Sequence, residues 1–270
     1  MQNSSNYLKL NEKVIIISGG YGHLGSAICK ELVSLNSKVF CFGRDFKKFH
    51  KIFCKEIKEK KNIYFINCDV GKEIEVRKAV KRVWKKENKI DVLINNAINS
   101  EFRSDTYNIK LEEWKKSLEA TTSGYFLLSK HCIEKMKLNK KGRIINISSL
   151  WETLSPIKKI HSDLQNSPSM SMVAGKGAIG QFTKYLASIL AEHNILVNSV
   201  SPGWFPKRKK ILKKNEKKVK KYMNEITSRI PLMRIGKPEE ITGIVCFLAS
   251  EKSSYITGQN YIVDGGYSIW

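Results

Sequence analysis

Residues 172–182 read M-V-A-G-K-G-A-I-G-Q-F, a helical pattern in which Lys176 is surrounded by Ala174, Gly175, Gly177, Ala178 and Gly180. Side chains this small let a second body reach the backbone, so the ammonium has room to meet a ligand. Met172 lies four residues earlier and shares the same helix face. One cation and one thioether are therefore presented to a common cleft, and the thioether has no acidic proton and accepts only weakly. A second chemical stretch is S-G-G-Y-G-H-L-G at 18–25, where Gly20, Gly22 and Gly25 satisfy G-x-G-x-x-G. Between a strand and a helix, such glycines permit a tight turn and let a pyrophosphate approach the helix N-terminus. The next apolar run ends in F-G-R-D at 42–45. Arg44 suits the 2′-phosphate of NADP, whereas Asp45 is the acceptor that the ribose 2′-hydroxyl of NAD would use.

The elements that must hold these groups follow from the apolar pattern. Runs at 13–18, 38–43, 62–69, 90–96 and 142–149 read as strands. Helical patterns at 23–36, 73–87 and 110–137, and a lysine-rich amphipathic segment at 45–60, alternate with them. Continuous apolar strands separated by helices predict an α/β fold with a parallel sheet covered on both faces. No Pro- or Gly-rich linker divides the chain. One doubly wound domain is expected, preceded by a tail at 1–12.

At 270 residues the chain can bury roughly three quarters of its unfolded surface. No apolar run approaches the length of a membrane span, and the first residues lack a signal pattern. The six cysteines (29, 41, 54, 68, 132 and 246) form no C-x-x-C and have no histidine at ligand spacing, so reduced packing thiols in a cytoplasmic protein are expected and no metal site. The net charge of +23 is carried mostly by dispersed lysine. Nucleic acid binding rests on that charge alone, without a basic motif interleaved with aromatics. The exception to the dispersal is 207–221, with ten positive charges in fifteen residues, a segment able to attract carboxylate or phosphate.

Further stretches resemble the short-chain dehydrogenases/reductases. C-D-V at 68–70 is similar to that family's adenine contact, and N-N-A at 95–97 to its N-N-A-G element with Ile98 in place of glycine. I-N-I-S-S at 145–149 resembles the strand carrying the catalytic serine, V-N-S-V-S-P-G at 197–203 the nicotinamide loop, and 234–266 the C-terminal block. The resemblance spans about 13–266. It implies a Rossmann-type sheet, a nicotinamide coenzyme, a small-molecule substrate and a homotetramer or homodimer. It places the coenzyme against Gly19, Tyr21, His23, Leu24, Arg44, Asp69, Val70, Asn95, Ala97, Lys176, Pro202 and Gly203.

By the same resemblance Ser149 takes the role of the catalytic serine, and Lys176 that of the lysine that bonds the nicotinamide ribose. Two departures follow: Thr121 stands where the family carries asparagine, and Met172 where it carries the proton-transferring tyrosine. Either Ser149 orients the substrate with Lys176 or water supplying the proton, or a residue of the long 151–169 segment, such as His161 or Asp163, enters the cleft. A catalytically silent nicotinamide-binding homologue is the alternative reading. The basic run falls in an expected substrate lid at about 204–228.

Overall fold

The computed structural model describes residues 7–98, 109–157, 168–206 and 216–269. In chain order these form β1 (Val14–Ser18), α1 (His23–Ser34), β2 (Lys38–Gly43), α2 (Phe46–Ile52), α3 (Cys54–Lys58), β3 (Ile63–Asn67), α4 (Glu73–Glu87) and β4 (Val92–Asn95). Then follow α5 (Leu111–Leu118), α6 (Gly124–Leu138), β5 (Gly142–Ile147), α7 (Met170–Leu190), β6 (Ile195–Pro202), α8 (Glu216–Thr227), α9 (Thr242–Ala249) and β7 (Asn260–Val263). The strands make one sheet in the order β3-β2-β1-β4-β5-β6-β7, and every pairing is parallel. The order reverses between β1 and β4, which opens a crevice at the carboxyl ends of the strands.

Alternate residues of each strand feed opposite faces. Ile15, Ile17, Val39, Cys41, Val92, Ile94 and Val200 pack with α1 and α9 on one side. Val14, Ile16, Phe40, Phe42, Leu93, Ile144 and Val197 pack with α4, α6 and α7 on the other. Two buried faces explain why the strands read as unbroken apolar runs. Leu10, expected within a tail, is fully buried, and its carbonyl accepts the Ser37 hydroxyl at 2.8 Å.

The single helix expected at 110–137 is instead α5 and α6 separated by a π-helical turn at Glu119–Ser123. Thr121 and Thr122 return their hydroxyls to the carbonyls of Ser117 and Leu118, at 2.8 and 2.7 Å. Hydroxyl back-bonding of this kind competes with the helical ladder and opens it. The strand expected at 142–149 ends at Ile147, because Ser149 turns to cap a short 3-10 turn at Leu150–Glu152.

A buried polar chain ties the sheet to the helices beneath the crevice. Asn95 Nδ2 donates to Ser129 at 3.1 Å and to Asn146 Oδ1 at 2.9 Å, and Asn146 Nδ2 donates to Thr183 at 2.9 Å. β4, β5, α6 and α7 are thereby fixed to one another through two asparagines. Asn146→Ala is expected to lower the unfolding free energy by about 2–4 kcal/mol in urea titration, since it leaves the Asn95 and Thr183 groups without that partner.

Candidate active site

Lys176 lies on α7 with only 4 % of its surface exposed. Its Nζ donates to the Ile147 carbonyl at 2.8 Å, at the carboxyl end of β5. The Tyr125 hydroxyl, from α6, donates to the same carbonyl at 2.8 Å, and its ring centroid is 5.5 Å from Nζ. Burial pushes the ammonium from its ordinary value of 10.5 down to about 7, against an opposing pull from the Glu152 carboxylate. A lysine that titrates near neutrality can both hold a hydrogen-bonding ligand and exchange a proton with it.

Met172 is held one turn before it, in a half-buried position. Ser169 caps α7 by accepting from Met172 N at 3.3 Å, and Ser171 donates to the Ser117 hydroxyl of α5 at 2.8 Å. Thr121 faces α7 across Gly175, but its hydroxyl is spent on Ser117 of its own helix. Ser149, next to the strand end, accepts from Trp151 N at 3.4 Å. That contact uses a lone pair and leaves the hydroxyl proton for another acceptor.

The glycine loop sits at the end of β1, where the strand order reverses. Gly19 adopts φ +62°, a conformation that an L side chain rarely takes, while Ala97 backs it closely. Ser18 Oγ accepts from Asn96 N and Ala97 N, both at 3.0 Å, and Asn96 Nδ2 donates to the Ser18 and Gly19 carbonyls, both at 3.0 Å. His23 opens α1 and Leu24 packs into the core behind it. The Gly19 and Gly22 amides are spent on the Phe42 and Gly19 carbonyls, at 2.9 and 2.8 Å, and α1 starts directly after Gly22, so a helix N-terminus closes the loop, a place suited to an anionic diphosphate.

Tyr21 bends over the end of β2, its hydroxyl accepting from Arg44 N at 2.8 Å and Asp45 N at 3.1 Å. Arg44 is exposed, with its guanidinium 3.9 Å from Asp69. Asp45, also exposed, caps α2 with Oδ1, which accepts from Lys48 N at 2.9 Å. Val70 packs on Gly124, and Gly203 follows Pro202 with its N–H on the Val263 carbonyl at 2.9 Å.

The residues proposed from the sequence are therefore gathered along one edge of the sheet, with Asn95 the exception: its amide is committed to the inner polar chain. Asn96, which the sequence reading passed over, is the neighbour that secures the glycine loop. Glu152 was also missed; it accepts from Ser199 at 3.2 Å and Ser201 at 3.5 Å. The only signal for it was its place in the post-serine segment. His161, Asp163 and 207–215 of the basic run lie outside the described residues; 216–221 of that run lies on α8.

On the substrate side, Trp204 meets Trp151, Tyr222 and Tyr267 edge-on, at centroid distances of 6.3, 6.2 and 6.2 Å. A cavity of about 520 Å³ opens beside this cluster, lined by Leu154, Ser155, Ile157, Ser228, Arg229, Tyr267 and Ser268. Ser149, Met172 and Lys176 do not line it.

A family model described as enoyl-(acyl carrier protein) reductase matches residues 23–268. The chain is 32% identical over 262 residues to a 3-oxoacyl-(acyl-carrier-protein) reductase of Aquifex aeolicus, covering 96% of this chain and 98% of that protein. It belongs to the short-chain dehydrogenase/reductase family. A cyclopentanol dehydrogenase of Comamonas testosteroni is 29% identical over 265 residues, covering 96% and 98%. A short-chain dehydrogenase of Leptospira borgpetersenii, solved with bound NAD+, superposes with a TM-score of 0.83 at 26% identity, covering 100% of this chain and 97% of that one. The short-chain reductase fold and its oxidoreductase lineage are thus established for this chain. Among the described residues no helix is long and apolar enough to cross a membrane.

The buried lysine has a measurable signature. Its folded-state value near 7 lies below the unfolded 10.5, so as pH falls the unfolded chain takes up the proton first. Burying Lys176 therefore costs stability progressively between those limits and fully below them. Lys176→Met is expected to gain up to about 3–5 kcal/mol over wild type at pH 6 and almost nothing at pH 11, read by urea denaturation without coenzyme. A gain independent of pH would mean that the ammonium is solvated.

Proposed function

We propose that this protein is an NADP(H)-dependent oxidoreductase that interconverts a small polar carbonyl compound and its alcohol, with an anionic or sugar-like molecule as substrate. The observation that carries the proposal is the Lys176 ammonium, buried on the Ile147 carbonyl at the sheet edge that also holds the glycine loop. A bound nicotinamide dinucleotide supplies or takes up the hydride. The loop and the start of α1 receive its pyrophosphate, Asp69 and Val70 flank the adenine, and Pro202 and Gly203 border the nicotinamide. The exposed Arg44 guanidinium serves the 2′-phosphate, while Asp45 has Oδ1 engaged in capping α2.

Lys176 holds the nicotinamide ribose, and Ser149 donates to the substrate oxygen. The proton delivered to that oxygen on reduction comes from Lys176, directly or through water, because Met172 has none to give. Lacking the usual phenol forgoes roughly 10²–10⁴-fold of general acid catalysis, while positioning of donor and acceptor remains. Arg229 and the serines of the neighbouring cavity provide for a charged or hydroxylated substrate tail. We place the protein in a homodimer or homotetramer, a reading supported by exposed Phe126 on α6 and Tyr185 and Ile189 on α7.

Three measurements test this reading. NADPH is expected to quench tryptophan fluorescence saturably, and Arg44→Ala to weaken NADPH by about tenfold or more with NADH little changed. Equal losses for both coenzymes would remove the NADP assignment, and no binding of either would remove the function. Carbonyl reduction at saturating NADPH is expected to fall as pH rises through about 7, where Lys176 gives up its proton. Met172→Tyr is expected to raise reduction of a carbonyl panel by about 10²-fold; an unchanged rate would show that the cleft works without a phenol by design.

A further inference from the structure

Glu152 is a partly buried carboxylate at the end of the 3-10 turn that follows Ser149. Two elements converge to seat it. Ser199 and Ser201, two residues apart on β6, present both hydroxyls on one face and donate to Oε1 at 3.2 Å and Oε2 at 3.5 Å. From α7, Gly180 leaves the space: a β-carbon there would come within 2.9 Å of Glu152 Cγ and Oε1 and 3.0 Å of Cδ. Among the described residues no ammonium or guanidinium reaches the carboxylate at ion-pair distance. Its oxygens are therefore held by neutral donors, and its negative charge is left to act at longer range.

One helical turn before Gly180, on the same face of α7, stands Lys176. Two ionisable groups act on this ammonium: Tyr125 from α6, its ring centroid 5.5 Å away, and Glu152 from the 3-10 turn. Tyr125 is neutral, its phenol pushed further up by burial. Glu152 is thus the one charge in this group that offsets the desolvation of the lysine. A charge separation without direct contact still acts strongly in a site of low dielectric.

We propose that Glu152 is a positioning residue, the fixed counter-charge that stabilises the buried Lys176 ammonium. The proposal rests on the reading of Lys176 as the group that holds the ribose and handles the proton. Glu152 touches neither substrate nor coenzyme; it acts through the lysine, and Ser199, Ser201 and Gly180 act by fixing where the carboxylate sits.

The test reads the lysine directly, without coenzyme or substrate. In protein carrying 13C-labelled lysine, the Lys176 Cε resonance is the one lost in Lys176→Met, and its pH midpoint is expected near 7 in wild type. Glu152→Gln keeps an acceptor for one serine, offers its NH₂ to the hydroxyl oxygen of the other and removes the charge, and is expected to lower that midpoint by about one unit. The pH at which carbonyl reduction falls is expected to move down with it. Should the glutamine variant fail to fold, Glu152→Asp, whose carboxylate is drawn back from α7, is expected to shift the midpoint the same way by less. A midpoint unchanged in whichever variant folds overturns the proposal. A wild type without turnover, by contrast, counts against the proposed function and leaves this titration readable.

Discussion

The site is organised around one ammonium forced out of water. Lys176 donates to the Ile147 carbonyl, an acceptor made available because β5 ends there and the chain turns away. That hydrogen bond repays only part of the desolvation, and the remainder appears as the low proton affinity of the side chain. A protein that spends stability in this way holds a charge that it can lend to a ligand. The neighbouring phenol of Tyr125 shares the same carbonyl and keeps the strand end from relaxing toward the lysine.

The surroundings can be understood as what that placement demands. α7 must lie close against its neighbours, and its small residues permit this: Gly175 admits Thr121, and Gly180 admits Glu152. The π-helical turn between α5 and α6 brings Thr121 to that contact, at the cost of its hydroxyl being turned back on Ser117. The Asn95–Asn146–Thr183 chain then locks the helix to the strands on which the lysine depends. Met172 is fixed through its backbone N–H, which donates to the capping Ser169.

The coenzyme end is built separately, from local rules that need little help from the rest of the molecule. Gly19 takes its positive φ, Ser18 and Asn96 brace the loop against β4, and Tyr21 ties the loop to the end of β2. Asp45 caps α2 with one carboxylate oxygen, and beside it the Arg44 guanidinium is exposed to solvent.

Much of this was legible in the residues alone. The alternation of apolar runs and helical patterns encodes a parallel sheet because strands buried on both faces have no polar positions to spare. The glycine loop, Arg44, Ser149 and the Met172–Lys176 pair are local in sequence, so their spacing determines their faces and their chemistry. Tertiary structure alone decided the rest. Glu152 gains meaning only when β6 brings Ser199 and Ser201 beside it and α7 brings Gly180, and Asn95 proves to be an internal strut because β5 lies next to β4. The reason is physical: propensity and period act over a few neighbouring residues, whereas burial of a charge is set by everything that folds around it.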